Sequence, residues 1–193
     1  MQANEENTYY PPTLADWRAW LAQNHRSEQS VWLILYKKKS ERESILWSDA
    51  VDVALCFGWI DSKRQTIDEF SYRQFYCRRK PKSPWSKINK EKVQKLIDSG
   101  EMRPAGYEAV EIAKANGSWT MLDEAEALIV PEDLETAFQK HPGAKDYYLS
   151  LSPSNRKSLL HWIALARRPE TRQKRIDEIS EHAGRGERPK HFR

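Results

Sequence analysis

The segment VWLILY at residues 31–36 is the clearest indication of the fold, because it is short, apolar and aromatic and is flanked by polar residues. A run of this kind is typical of a strand that is buried on both faces. A second segment, FSYRQFYCR at residues 70–78, alternates its side chains with the period of a strand, and WIDS at residues 59–62 begins a third strand. The connection between these two segments is short and polar, which favours antiparallel pairing. The sequence therefore predicts an antiparallel sheet of residues 31–37, 59–62 and 70–78.

Helical patterns surround these strands. Thr13 is placed to cap a helix whose apolar residues recur at three- and four-residue spacing. Other helices are predicted between a start signal and a glycine that ends the helix, at Ser48 to Gly58, Ser86 or Asn89 to Gly100, and Pro104 to Gly117.

After Trp119 the pattern is one of short helices that begin at prolines, through residues 131–140, 153–166 and 169–183, and Ser152 is a start signal for the helix at 153–166. The predicted fold class is therefore α+β, a small antiparallel sheet packed by helices and followed by an all-helical C-terminal region. We expect an α+β domain at residues 1–120, a helical region at residues 121–185 and a frayed tail at residues 186–193.

The composition limits the functions that the chain can have. Its first residues carry acids and no apolar core, and its best apolar run is far shorter than the roughly 18 residues of a spanning helix. We therefore expect a cytoplasmic protein without membrane insertion. Cys56 and Cys77 lack a paired spacing and are expected to be free thiols. The net charge of +4 permits an anionic partner but does not require one.

The motifs of common catalytic and cofactor sites do not occur in the sequence. The five histidines fall in no HExxH or other paired ligand spacing, and there is no GxSxG, GxGxxG or GxxxxGK[ST] pattern. The sequence therefore identifies no catalytic residue, no metal ligand and no cofactor.

The best candidate site is a basic segment that contains a tryptophan. Between Arg78 and Lys92 there are seven basic residues and one acid. Guanidinium groups and helix N-terminal amides both donate hydrogen bonds to anions, so this segment suits a phosphate or carboxylate. The arginines would clamp the anion, serines would donate hydrogen bonds, Trp85 would cover an apolar part and Asp61 would orient an arginine. The predicted ligand-binding set is Asp61, Arg78, Arg79, Ser83, Trp85, Ser86 and Asn89.

A plainer interpretation and two rival functions stay open. The segment can be a solvated loop in which Trp85 joins the core and Ser86 caps a helix. A second basic cluster at residues 167–175 could act with the first in binding nucleic acid, and aromatic residues of the strand at 70–78 could stack on bases, although they alternate as core residues do. Asp61 could be the general acid or base of an enzyme, but one carboxylate without a partner defines no mechanism.

Four blocks of the sequence together resemble the YdeI/OmpD-associated (bacteriocin-protection) family of bacterial proteins. They are ALCFGWIDS at residues 54–62, the arginines at 78–79 with SPWS at 83–86 and Asn89, GEMRPAG at 100–106, and WIALA at 162–166 with RPETR at 168–172. The resemblance implies a role in tolerance of bacteriocins or antimicrobial peptides and carries over no catalytic residue. The leading hypothesis is a non-enzymatic, cytoplasmic stress-tolerance protein that binds an anionic small molecule or an acidic protein surface at residues 78–89.

Overall fold

Four strands form one sheet in the first half of the chain. The computed structural model describes residues 7–192, and its strands are Thr8–Tyr9 (β1), Ser30–Tyr36 (β2), Trp59–Thr66 (β3) and Ser71–Arg78 (β4). They lie in the order β1-β2-β4-β3. The predicted antiparallel pairing is confirmed for β2 with β4 and for β3 with β4. The short β1 was not predicted and runs parallel to β2, so the sheet is mixed.

One face of the sheet carries the core of this half of the chain. Val31, Leu33 and Leu35 of β2 point to the same face and are buried. Tyr76 of β4 pairs with Val31 and is also buried there. Its ring meets the ring of Trp17 edge-on, with 5.3 Å between the centroids. Strand alternation thus places an apolar face against the helices. On the opposite face of β2, Trp32 is buried as well, but Ile34 and Tyr36 are only half-buried, so the predicted burial on both faces is incomplete.

Four helices accompany the sheet: Leu14–Asn24 (α1), Trp47–Cys56 (α2), Lys87–Asp98 (α3) and Pro104–Ala115 (α4). The predicted cap at Thr13 is confirmed, because the Thr13 side chain accepts the backbone N–H of Asp16 and the Asp16 side chain accepts that of Thr13. The predicted cap at Ser48 is wrong. α2 begins at Trp47, and Ser48 lies in its first turn, where its hydroxyl donates to Asp49.

Two glycines allow α4 to lie directly against the turn that follows α2. A Cβ atom on Gly106 would stand 2.4 Å from the backbone oxygen of Cys56. Gly58 has φ +72°, the left-handed conformation that the sequence predicted, and a Cβ there would stand 2.7 Å from the backbone oxygen of Ala105. The backbone N–H of Arg103 donates to the Cys56 oxygen at 3.1 Å. We call this the glycine contact, because a side chain at either position would force the two segments apart.

Gly106→Ala should destabilise the protein, although alanine normally stabilises a helix by about 0.5–1 kcal/mol relative to glycine. The added methyl group meets backbone rather than a flexible side chain, so we expect a net loss of roughly 1–3 kcal/mol in the free energy of unfolding. Denaturant titration checks this value. Glu108→Ala, at an exposed position of the same helix, is the control and should change stability by less than about 0.5 kcal/mol. An unchanged or more stable Gly106→Ala protein would contradict the close approach.

The described chain divides into two compact units. The first contains the residues up to Ser83 and Ile88–Trp119, and the second contains Pro84–Lys87 and the residues from Thr120 onwards. The expected boundary after residue 120 lies beside the observed one after Trp119. The assignment of Pro84–Lys87 to the second unit was not expected.

The second unit is helical, as predicted. Its helices are Asp123–Glu126 (α5), Glu132–Phe138 (α6), Ala144–Ser150 (α7), Pro153–Ala164 (α8), Pro169–Gly184 (α9) and a short 3-10 helix, Lys190–Phe192. Ser152 caps α8 by accepting the backbone N–H of Asn155, which confirms a predicted start signal. The ring of Phe192 lies 5.5 Å from that of Trp162, so a frayed tail does not describe Lys190–Phe192; Arg193 lies outside the described residues.

A nearly buried carboxylate holds several elements of the second unit together. The side chain of Glu126 is 9% exposed and lies 2.8 Å from Lys157 Nζ and 3.4 Å from His161 Nε2. The backbone N–H of Lys87 also donates to it, at 3.3 Å. Burial opposes ionisation, but the hydrogen bonds from Lys157 and from the Lys87 N–H, together with the charges of Lys157 and His161, outweigh it and hold the pKa of Glu126 below its usual value.

The lowered pKa of Glu126 predicts a loss of stability in acid. A carboxyl group with a lower pKa in the folded than in the unfolded state stabilises the fold above its unfolded pKa, and this contribution disappears as the pH falls through the folded pKa. Glu126→Gln should therefore lower the free energy of unfolding at pH 7 and reduce its dependence on pH between about 5 and 3. Denaturant titrations across this range measure both effects, and equal pH dependence in the two proteins would contradict them.

Candidate functional site

Asp61 is bound by two side chains at the beginning of β3. It pairs with Tyr76 across the sheet. Its Oδ2 atom accepts hydrogen bonds from Trp47 Nε1 at 2.9 Å and from Gln74 Nε2 at 3.0 Å. Gln74 is buried, while Trp47 is half exposed. The predicted strand-end carboxylate thus links β3 to α2 and β4.

Arg79 is electrostatically coupled to Asp61. Burial lowers the pKa of Arg79 to about 10, and the negative charge of Asp61 counteracts this shift. The guanidinium therefore stays charged at neutral pH. Its backbone N–H donates to the oxygen of Gly58 at 2.9 Å, directly at the glycine contact. This coupling is consistent with an arginine oriented by Asp61, which stays a prediction.

The other members of the predicted set do not gather around this pair within one unit. Arg78 Nε donates to the backbone oxygen of Glu28 at 2.9 Å, so this guanidinium ties β4 to the loop before β2. Ser83 closes a turn through its backbone N–H. Trp85 and Ser86 belong to the second unit, whereas Asn89 belongs to the first. Trp85 is 2% exposed, which agrees with the plainer interpretation of that residue as part of a core.

Asp61→Asn should destabilise the protein by roughly 1–3 kcal/mol, because it removes the negative charge that interacts with the half-buried Arg79 and weakens two hydrogen bonds. Asp98→Asn removes the same charge at an exposed position of α3 and should have little effect. Denaturant titration of both variants measures the difference. Equal stability of the two variants would show that Asp61 is not a structural link.

A cavity between α1 and α4 was not predicted. Its volume is about 520 Å³ and it lies wholly within the first unit. The lining residues are Ala15, Arg18, Ala19, Ala22, His25, Arg26, Phe57, Arg103, Pro104 and Ala105. We call it the α1–α4 cavity. Its lining combines three guanidinium groups with small and aromatic apolar side chains.

The α1 side of the cavity has a sequence signal that periodicity alone could have revealed. Residues 15, 19 and 22 are alanines on one face of α1, Arg18 lies beside them in the helix, and Arg26 follows two residues after its end. This face lies next to the apolar stripe that packs on the core, but alanine is a weak marker of burial, so the signal is weak. The α4 side has no such signal, since the approach of Arg103 to α1 depends on the glycine contact.

Hydrogen bonds fix two of the polar residues that line the cavity. Arg18 Nη2 donates to the backbone oxygen of Glu101 at 2.7 Å, and its guanidinium lies 5.8 Å from the centre of the Phe57 ring. The ring nitrogen Nδ1 of His25 lies 2.8 Å from the backbone oxygen of Leu21. A carbonyl oxygen only accepts, so Nδ1 carries a hydrogen and Nε2 is the second functional atom of that ring.

The two predicted basic clusters make contacts within their own units. Arg172 donates to both carboxylate oxygens of Asp133, at 2.7 and 3.0 Å. Arg175 donates to the backbone oxygen of Trp162 and stacks over its ring. Arg78 of the first cluster is bound to a carbonyl, as described above. These bonds occupy donors that a nucleic acid would need, so binding through the two clusters stays a prediction without structural support.

Residues 7–192 contain no group of three or more His, Cys, Asp or Glu side chains that could hold a metal ion. Within the same residues, no helix is both long and apolar enough to cross a membrane. Cys56 and Cys77 are free cysteines. Burial raises the pKa of both thiols, and therefore neither is an activated nucleophile at neutral pH.

Family models match both parts of the chain. Residues 9–109, just over half of it, match a domain of unknown function, DUF8412. Residues 127–186 match the model described as bacteriocin-protection, YdeI or OmpD-associated. The chain belongs to the DUF8412 family, and its C-terminal region is similar to the YdeI/OmpD-associated family. No curated protein and no solved structure matches it.

The four sequence blocks that resemble the YdeI/OmpD-associated family fall into two different family matches. The last block, at residues 162–172, lies in the YdeI/OmpD-associated region and confirms the suspected family. The blocks at residues 54–62, 78–89 and 100–106 lie in the DUF8412 region. Two of these, at 54–62 and 100–106, meet at the glycine contact. The α1–α4 cavity and Asp61 are likewise features of the DUF8412 region.

Proposed function

We propose that this bacteriocin-protection family protein acts without catalysis, by binding a small anion that carries an apolar body in the α1–α4 cavity. The observation that carries the proposal is the cavity itself, of about 520 Å³, lined by three arginines and by apolar side chains. Cavities of this size, with a few polar groups around an apolar interior, are typical of small-molecule sites.

The charge of the lining favours an anion. Arg18, Arg26 and Arg103 contribute guanidinium groups, and none of the ten lining residues is acidic. Glu101 compensates part of this charge, since its Oε2 lies 3.7 Å from Arg18 Nη1. Arg26 and Arg103 are exposed. Arg103 also precedes the first turn of α4, where the helix dipole adds a positive potential.

The remaining lining residues favour an apolar body on the same ligand. The apolar part of the lining consists of three alanines of α1, together with Phe57, Pro104 and Ala105. An inorganic anion would leave these apolar side chains in contact with water. A carboxylate or phosphate attached to a short alkyl or aromatic group would bury them and gain about 25 cal/mol for each Å² of apolar surface removed from water.

The chemistry of the lining supports binding rather than catalysis. None of the ten residues carries a hydroxyl, thiol or carboxylate that could act as a nucleophile, and His25 is the one titratable group among them other than the arginines. The ligand class is the one that the sequence predicted, an anionic small molecule, but the residues differ. The predicted segment at 78–89 is engaged in contacts of the fold, whereas the α1–α4 cavity is open.

Arg103→Gln should weaken binding of an amphipathic anion roughly tenfold, because a charge-assisted hydrogen bond is lost. The probe is the fluorescent anion anilinonaphthalene sulfonate, displaced by octanoate. Octylammonium has the same apolar body and the opposite charge and should displace it poorly. Inorganic phosphate lacks the apolar body and should also displace it poorly. Arg167→Gln, which removes one positive charge from the second unit, is the matched control and should bind as the unaltered protein does.

A second pair of variants tests the place of binding without a change in charge. Ala19→Phe would fill the cavity, and Ala115→Phe adds the same side chain at an exposed position of α4 outside it. The first variant should lose displaceable binding and the second should keep it. Equal binding by both variants, or displacement by octylammonium as effective as that by octanoate, would contradict the proposal.

A further inference from the structure

Three aromatic rings of the β2–β4 region each carry a stacked cation. Lys39 Nζ lies 5.4 Å from the centre of the Phe70 ring. The guanidinium of Arg42 lies 5.3 Å from the ring centre of Tyr36, and its Nη1 donates to the Tyr36 hydroxyl at 2.8 Å. The guanidinium of Arg73 lies 4.4 Å from the ring centre of Trp32. Energetically significant cation–π pairs occur about once per 70–80 residues in proteins, so three within residues 32–73 form a local concentration.

The strand register places two of these aromatic rings, Trp32 and Tyr36, on one face of the sheet, and the third pair, Lys39 with Phe70, lies just beyond the ends of the strands. Val31, Leu33 and Leu35 fill the core face of β2, so Trp32 and Tyr36 project from the opposite face. Arg73 projects from that same face of β4, because it pairs with Ile34, which lies between them in β2. We call the residues Trp32, Tyr36, Lys39, Arg42, Phe70 and Arg73 the aromatic–cation track.

The track ends in a polar cleft at the turn between β3 and β4. The cleft has a volume of about 500 Å³ and includes Tyr36, Lys39, Arg42 and Phe70 among its lining residues. Phe70 is 48% exposed, so the far face of its ring is accessible. This is a concave surface on which a flat, polar group can stack.

The net charge near the track is positive, although acidic residues are also present. The segments 36–43 and 63–73 contain seven basic and four acidic residues. Glu69 is paired with Lys39 at 2.6 Å. Asp68 accepts the backbone N–H groups of Phe70 and Ser71 and so belongs to the turn. Glu41 also lines the cleft and opposes an anion there.

We propose that the aromatic–cation track binds single-stranded nucleic acid, with bases stacked on Phe70 and Tyr36 and phosphates near Lys39, Arg42 and Arg73. Unpaired bases stack on aromatic rings and on guanidinium planes, and a positive groove beside the rings follows the sugar–phosphate backbone. Bases within a duplex are already stacked on one another and offer no face to these rings. The track is therefore selective for single strands.

The site differs from the basic clusters that the sequence suggested. Those clusters lie at residues 78–92 and 167–175, whereas the track lies at the opposite end of β4 from Arg78. The track also does not include the α1–α4 cavity, so either binding activity can exist without the other.

The test uses fluorescence anisotropy of the full-length protein with labelled single-stranded RNA of about ten nucleotides, the scale of one binding surface. A DNA strand and a duplex of equal length are compared at two salt concentrations. Single strands should bind more tightly than the duplex, and the affinity should fall as salt rises because bound cations are displaced from the phosphates. Polyglutamate is added as a competitor, to separate recognition of bases from attraction by charge alone.

The decisive variants change the ring of Phe70 while retaining an apolar side chain. Phe70→Tyr keeps an aromatic face and should bind normally, whereas Phe70→Leu should lose about fivefold or more in affinity. Phe70 is half exposed, so both variants should fold, and far-ultraviolet circular dichroism verifies this. Arg73→Ala should weaken binding and lower its salt dependence. The matched control is Arg64→Ala, since Arg64 stacks on Tyr72 from the other face of the sheet.

The proposal is overturned if the duplex binds as tightly as the single strand, if polyglutamate competes as well as RNA at equal charge, or if no binding is detected at low salt. It is also overturned if Phe70→Leu and Phe70→Tyr bind equally, or if Arg64→Ala weakens binding as much as Arg73→Ala does. A Phe70→Leu protein that misfolds is replaced by Tyr36→Leu compared with Tyr36→Phe, for which the same outcomes decide.

Discussion

The contact of α4 with the turn after α2 is the constraint on which the first unit depends. Gly106 and Gly58 bring the backbone of one segment to the backbone of the other, and Arg103 donates its N–H across the junction. A side chain at either glycine would push α4 outward. The side chain of Arg103 and the ring of Pro104 would then move away from α1, and the cavity between the helices would change in both shape and charge. The arrangement of the polar groups is therefore a consequence of two positions that have no side chain.

The sequence was sufficient where structure is determined locally. The three antiparallel strands, the capping box at Thr13, the stop at Gly58 and the cap at Ser152 were all predicted, because alternation, side-chain capping and left-handed glycine each act over a few residues. The parallel strand β1 was missed. It has two residues, Thr8–Tyr9, and a pattern so short carries no period.

Sites that depend on contacts between distant parts of the chain were harder to predict from the sequence. Asp61 lies near the start of β3, where the sequence placed it, but its hydrogen bonds to Trp47 and Gln74 could not be predicted from residue spacing. The cavity lies between helices that are far apart in the sequence, and the pairing of Lys39 with Phe70 depends on the register of two strands. Counting charges along the chain also overstated the basic clusters, since it does not show that Arg78 and Arg172 are used by the fold.

The path of the chain between the two units limits how such a protein could evolve by the fusion of two separate domains. The chain changes unit after Ser83, after Lys87 and again after Trp119, so Pro84–Lys87 lies inside the DUF8412 match but is counted with the second unit. Residues 120–193 alone would leave Glu126 without the N–H of Lys87. The borders of the two family matches are thus not places where a gene could be divided into self-sufficient halves. A recombination event that joined either region to a different partner domain would also have to replace Pro84–Lys87. The two regions are therefore expected to be inherited together.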